Sequence, residues 1–316
     1  MKKKFFVVIV ALLIICPFTV NAGEVNNVES TYNTLNGLVT EGGYTYYYVN
    51  GVKQTGFQVI DGNTYFFSRI NNNEMRTGVF QIDGFYYNFD NNGVMQTGWY
   101  TDGKYRYYYD TDGKRVSGFK TIEGNTYFFS RSGNNILRTG IFQIDGFYYN
   151  FDNNGVMQTG WYTDGKYRYY YDTDGKRVSG FKTIEGNTYF FSRSGDNILK
   201  TGVFSIDGVF YGFNDEGIMQ TGWYYFAGNK YYFEDDGKAA TGFKVIDEKT
   251  YFFSRIDAHM RTGIFPVDGF YYNFDNNGVM QTGWYEDGNY KYYFDSNGKR
   301  VSGFKTIEGN TYFFSR

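Results

Sequence analysis

From Gly56 to the end of the chain, apolar and polar positions follow one short cycle. A Thr-Gly or Ser-Gly pair leads into an aromatic residue, a short polar turn, an aromatic-rich run and a second glycine turn. The stretch from Thr97 to Phe119, TGWYTDGKYRYYYDTDGKRVSGF, is one copy. The glycine of the small pair returns at Gly56, Gly78, Gly98, Gly118, Gly140, Gly160, Gly180, Gly202, Gly222, Gly242, Gly263, Gly283 and Gly303. The steps are 20, 20 and 22 residues, with 21 once, so three cycles make a super-repeat of about 62. A fixed period of this length marks a repeat architecture.

Within each cycle, Asp-Gly or Glu-Gly pairs such as Asp83-Gly84, Asp102-Gly103 and Glu123-Gly124 separate two β-rich runs. That is the strongest short-range hairpin signal, because both central positions of the tight turn need positive φ. A second turn follows each run, as at Asn91-Asn92-Gly93, Thr111-Asp112-Gly113 and Glu216-Gly217. No stretch beyond the first residues has helical spacing. An isolated two-stranded hairpin is marginal in water, so each must bury its aromatic face on its neighbours. The pattern predicts an all-β solenoid of tandem β-hairpins over residues 37–316, about 14 repeats of 20–22 residues, with a degenerate first unit at Gly37-Leu38.

The units come in three kinds. One begins Gly-Phe (Gly118-Phe119), one Gly-Val/Ile-Phe (Gly78-Val79-Phe80) and one Gly-Trp (Gly98-Trp99). Residues 79–140 and 141–202 differ only at Val79/Ile141, Asn134/Asp196 and Arg138/Lys200, which points to recent duplication of the triplet.

The first residues read differently. Lys2, Lys3 and Lys4, the apolar run from Phe5 to Ile15 and Val20-Asn21-Ala22 form the three regions of a secretory signal peptide over residues 1–22. Residues 23–36 lack periodicity and read as a lead-in. The chain stops at Phe313-Phe314-Ser315-Arg316, before the next small pair is reached, so the array is expected to be truncated there.

Composition narrows the function. The 35 Tyr, 33 Phe and four Trp supply ample surface for burial, against a disordered chain. Cys16 is the only cysteine, so the exported chain would have neither disulfides nor thiol chemistry. Without the three N-terminal lysines, 28 basic residues face 33 acidic ones, and no basic patch stands out. Nucleic acid is therefore not an expected partner. After signal removal no transmembrane segment is expected.

Catalytic chemistry is not in evidence. His259 is the only histidine and lies in a degenerate loop, and no Ser/His/Asp or Cys/His set exists. Paired carboxylates for glycoside hydrolysis would need a unique cleft, whereas these carboxylates recur in every triplet. Loops such as Asp110-Thr111-Asp112-Gly113 lack the spacing and closing glutamate of a calcium hand, and such turns favour Asp and Asn anyway. No catalytic residue, metal or cofactor is assigned.

At Tyr86-Tyr87, Gly93, Met95 and Thr97-Gly98-Trp99, and again at Tyr148-Tyr149, Gly155, Met157 and Thr159-Gly160-Trp161, the chain resembles the cell-wall-binding repeats. These include choline-binding modules and glucan-binding repeats. It is also similar to the C-terminal repeats of the large clostridial glucosylating toxins. The resemblance covers about 260–280 residues. It implies a secreted, wall- or surface-associated binding protein that attaches to cell-wall polymer or surface glycan, choline-bearing in one form. It also implies cages of aromatics and Met from adjacent hairpins, which suit a quaternary ammonium because ring faces attract cations and Met is an adaptable wall. The candidate ligand-binding residues are Tyr86, Met95 and Trp99; Tyr148, Met157 and Trp161; Phe210, Met219 and Trp223; and Tyr271, Met280 and Trp284. Each of these aromatics also has a plain packing role open to it, the Trp residues least so.

The chain departs from the choline pattern in two ways. Only every third unit carries Gly-Trp, and Arg115, Arg177 and Arg300 stand where other units have Met. An arginine repels a cationic ligand, so those junctions are not expected to bind choline. The Gly-Val/Ile-Phe units resemble the glycan-binding toxin repeats, which raises the carbohydrate reading above choline. Repeated weak sites along one stripe favour a polymeric ligand through avidity. Two other roles stay open, the targeting repeats of a larger wall hydrolase or toxin and a passive stalk.

Overall fold

A computed structural model describes residues 34–315. The segment expected to be a signal peptide and most of the expected lead-in lie outside the described residues. Every regular element described is a strand, and the strands form fourteen small sheets. The first has three strands, Gly37–Glu41, Tyr44–Val49 and Val52–Lys53, and the other thirteen are two-stranded hairpins in sequence order. The expected all-β array of tandem hairpins is the observed architecture.

The hairpin register follows from the turn. Asp83 (φ 48°) and Gly84 (φ 86°) occupy the two central positions, between the paired Ile82 and Phe85. Both angles lie in the left-handed region, the geometry whose twist matches that of the flanking strands. The Trp99, Trp161 and Trp284 hairpins instead use a longer loop, whereas the Trp223 hairpin keeps a two-residue turn at Ala227-Gly228. In the loop of the Trp99 hairpin the Asp102 carboxylate accepts the backbone N–H groups of Lys104 (3.0 Å) and Tyr105 (2.8 Å).

Alternation then divides each hairpin into faces. The last aromatic of the second strand, paired with the glycine of the small pair, goes to the interior. Phe129, Phe151, Tyr171, Phe191, Phe213 and Phe233 in this place are all essentially inaccessible. Just beyond it, the chain forms an isolated bridge back to that aromatic, as Met157 does with Phe151. The Met157 N–H meanwhile donates to the Thr126 carbonyl of the preceding hairpin at 2.8 Å. The same bond recurs from Met219 to Thr188 and from Met280 to Thr250, so backbone as well as side chains join these hairpins to the ones before them.

The chain divides into two compact units, residues 34–98 with 109–114, and residues 99–108 with 115–315. The core of the first is the cluster of Phe66, Ile82, Tyr87 and Phe89, with Phe80 and Met95 packed against it. The second repeats this cluster as Phe128, Ile144, Tyr149 and Phe151 with Phe142 and Met157, and as Phe252, Val267, Tyr272 and Phe274 with Phe265 and Met280. A core built in slices, each bridging two hairpins, is what a repeat of this size requires.

Candidate functional site: the aromatic junctions

Trp161 sits on the first strand of its hairpin, directly opposite Tyr170. Paired residues point to the same face, and their rings meet edge-on at 5.2 Å and 74°. The next hairpin contributes Tyr189 at 5.0 Å and 72°, and Phe191 at 5.9 Å. The result is a four-ring box spanning two hairpins, half open to solvent. It recurs around Trp99 with Tyr108, Tyr127 and Phe129, and around Trp223 with Tyr232, Tyr251 and Phe253. The fourth copy, Trp284 with Tyr293, Tyr312 and Phe314, leaves its Trp 39% exposed.

Each box already contains a cation. The Arg106 guanidinium lies 3.9 Å from the centre of the Trp99 ring and that of Arg168 4.3 Å from Trp161. The Lys230 ammonium stands 4.2 Å from Trp223 and that of Lys291 5.0 Å from Trp284. Arg168 pairs with Thr163, two positions along from Trp161, so alternation places it on the same face as the indole.

The Gly-Phe hairpins build a second box in the same place. Phe181 meets Phe190 and Tyr211, both at 5.0 Å, with Phe213 behind at 6.4 Å. Phe119 meets Phe128 at 5.0 Å and Tyr149 at 5.1 Å in the same arrangement. The strand position that carries the cation in a Trp hairpin is threonine here, and the Thr188 and Thr183 hydroxyls hydrogen-bond to each other at 3.3 Å.

The third kind of junction has no such box. Ile141 pairs with the buried Asn150. Arg177 fills the neighbouring space, 4.5 Å from the Tyr148 ring and 4.4 Å from that of Tyr169. It donates to the Tyr171 hydroxyl from Nε at 3.2 Å and Nη2 at 3.0 Å, and to the Asp196 carbonyl from Nη1 at 3.2 Å. Arg300 takes the same position over Tyr271 at 4.3 Å. The arginine expected to repel a ligand is thus the cation that this junction holds for itself.

The sequence-derived residues are distributed over different packing groups. Trp99, Trp161, Trp223 and Trp284 are the centres of the boxes. Met95, Met157, Met219 and Met280 instead join interior clusters and lie against the glycine of the next hairpin's second turn, at Gly113, Gly175, Gly237 and Gly298. Tyr148 and Tyr271 lie under their arginines, Tyr86 is half-buried, and Phe210 packs with Tyr231 and Phe233. The partners missed by sequence are Tyr170 and Tyr189 of the Trp161 box and their equivalents.

Two further features border the junctions. Tyr169 donates to the Asp164 carboxylate at 2.8 Å. Burial, then this hydrogen bond, pushes its hydroxyl up to about 12. The N–H groups of Tyr167 and Lys166, followed by the Tyr169 hydroxyl, hold Asp164 below the usual carboxylate range. A polar groove of about 600 Å³ also runs past Tyr167, with Ser194, Asp196 and Lys200 among its walls. The equivalent groove of about 540 Å³ contains Tyr105, Ser132, Asn134 and Arg138.

A family model for the cell wall binding repeat matches residues 117–134, 179–196, 221–239 and 282–299. These windows begin at Gly-Phe and Gly-Trp hairpins, the two kinds that build boxes. Within these four windows the chain is similar to the cell wall binding repeat. Among solved structures, choline binding protein F from Streptococcus pneumoniae is 25% identical at a TM-score of 0.50, over 84% of this chain and 98% of that one. The same protein in the presence of a peptidoglycan analogue matches at 25% identity and a TM-score of 0.44, with the same coverage. The modular autolysin LytC from Streptococcus pneumoniae, in complex with a synthetic peptidoglycan ligand, is 18% identical at a TM-score of 0.47, over 71% of this chain and 52% of that one. A comparison with curated protein sequences finds no match.

Proposed function

We propose that this chain is an exported, non-enzymatic binding protein that attaches to a choline-bearing cell-wall polymer through its aromatic junctions. The observation that carries this reading is the cation over every Trp. Four boxes of the same rings each attract an arginine or lysine to the indole face. A quaternary ammonium carries the same charge with a weaker hydration shell, and such cations are what aromatic cages recognise. The family match and the likeness to choline binding protein F support the same reading. Spacing boxes along a repeat suits a polymer, whose linked headgroups convert weak contacts into avidity.

A second reading, attachment to glycan, draws on the two grooves beside Tyr167 and Tyr105. Each combines a partly exposed tyrosine ring with hydroxyl, carboxylate or amide groups and a cation, a mixture that fits a sugar's apolar face and its hydroxyls. Calorimetric titration of the full chain with choline chloride, and separately with wall oligosaccharides, distinguishes the two. Heat with choline alone supports the leading reading, and heat with oligosaccharide alone replaces it with the second. No heat with either removes both.

A further inference from the structure

The strand position facing each box follows a rule within the chain. In the Gly-Trp hairpins it is Arg106, Arg168, Lys230 or Lys291, always over the indole. In the Gly-Phe hairpins it is Thr64, Thr126, Thr188, Thr250 or Thr311. Among the described residues no lysine or arginine stands over the Phe57, Phe119, Phe181 or Phe243 ring, and each is 38–39% exposed. The guanidinium groups beside these boxes, Arg131 at 5.7 Å from Phe128 and Arg193 at 5.8 Å from Phe190, are held in ion pairs with Asp145 at 2.8 Å and Asp207 at 2.7 Å.

We propose that the arginine or lysine over each Trp is a built-in competitor for the cationic ligand, so that the Phe boxes fill first and the Trp boxes open only when that side chain is displaced. This rests on the cationic-ligand reading above. An indole face offers the strongest cation site of any aromatic, so an unoccupied Trp box would outbind a Phe box. A resident cation inverts that order, because an incoming ammonium gains the ring only by releasing the occupant to water. The two occupants differ in how readily they leave. Guanidinium is planar and weakly hydrated and stacks on the indole, whereas the lysine ammonium is strongly hydrated on a flexible stem. Lys291 also has a carboxylate to move towards, with Glu286 at 2.7 Å. The Trp284 box therefore opens more easily than the Trp161 box, and the chain holds sites of graded affinity for one ligand.

The test uses the full chain with Trp99, Trp223 and Trp284 replaced by Phe, leaving Trp161 as the sole indole reporter. Choline chloride is titrated while indole fluorescence and heat are followed in parallel. Arg168→Thr, which installs the residue natural to the Phe boxes, is expected to lower the midpoint of the Trp161 response roughly tenfold. Arg168→Lys, which keeps the charge and most of the packing, is expected to fall between. Circular dichroism checks that both variants keep the fold, and Arg168→Lys serves alone if the threonine variant does not. A Trp161 midpoint unchanged by either substitution, with choline heat present, overturns the competitor and leaves the binding reading intact. Absence of heat and of fluorescence change in every variant overturns the cationic reading and this inference with it.

Discussion

The side chain of Met157 lies against Gly175, eighteen residues on, in the second turn of the following hairpin. The glycine has φ +77°, and a β-carbon there would run into the Met157 sulfur. The methionine of this repeat is therefore a spacer between hairpins, seated in a notch that only glycine leaves open.

That contact predicts a coupled effect. Gly175→Ala should destabilise the chain by about 2 kcal/mol, from left-handed backbone strain and displacement of the thioether. Adding Met157→Ala should recover part of the loss, giving a non-zero coupling in a double-mutant cycle read by denaturant unfolding. Strict additivity would show that the two residues do not communicate.

Arg177 should behave as a structural cation. Replacing it with Met, the residue at the same place in other units, removes two ring contacts and two hydrogen bonds to Tyr171. The expected cost is about 2 kcal/mol. A variant as stable as the parent would mean that the arginine is an idle occupant of the junction.

Much of this was legible in the sequence, and the limits have a physical form. Glycine spacing and Asp-Gly turns determine where each hairpin begins and ends, because both are backbone requirements local to a few residues. The direction in which Trp161 packs is not local. A periodic chain offers the same neighbours before and after, and the Met157–Trp161 spacing suggested a box shared with Tyr148 on the preceding side. The structure places Tyr189 of the following hairpin against the indole instead. One signal could have decided it. Arg or Lys precedes the cross-strand tyrosine by two residues only in Gly-Trp hairpins, and strand alternation puts it on the indole face. The placing of Arg177 followed from treating arginine as a repulsive wall, when a buried ring cluster also accepts it as filler.

Tyr169 gives the alkaline behaviour. Its hydroxyl is raised to about 12, while in an unfolded chain it titrates near 10. The folded state therefore keeps a proton that the unfolded state loses, and stability falls as pH rises from about 10 to 12. Asp164 acts at the other end. Its folded pKa is depressed, so its contribution is present above the unfolded carboxylate pKa and is lost as pH falls through the folded one. Tyr169→Phe should flatten the alkaline limb in a pH series of unfolding midpoints. An unchanged limb would assign the alkaline loss to other tyrosines.

Trp161→Ala separates binding from packing. Truncating a half-buried indole should cost about 2–3 kcal/mol of stability. It should also remove one step of ligand-induced fluorescence change. Replacing all four Trp residues should weaken wall binding well beyond what the loss of folded protein explains. Reduced stability with undiminished wall affinity would make the array a passive stalk.

The most direct measurement is co-sedimentation of the full chain with purified cell walls whose teichoic polymer carries choline, in the presence of free choline or of wall oligosaccharides. The account predicts that millimolar choline releases the chain while oligosaccharides leave it bound. Retention in saturating choline, or equal binding to walls without choline, would contradict it.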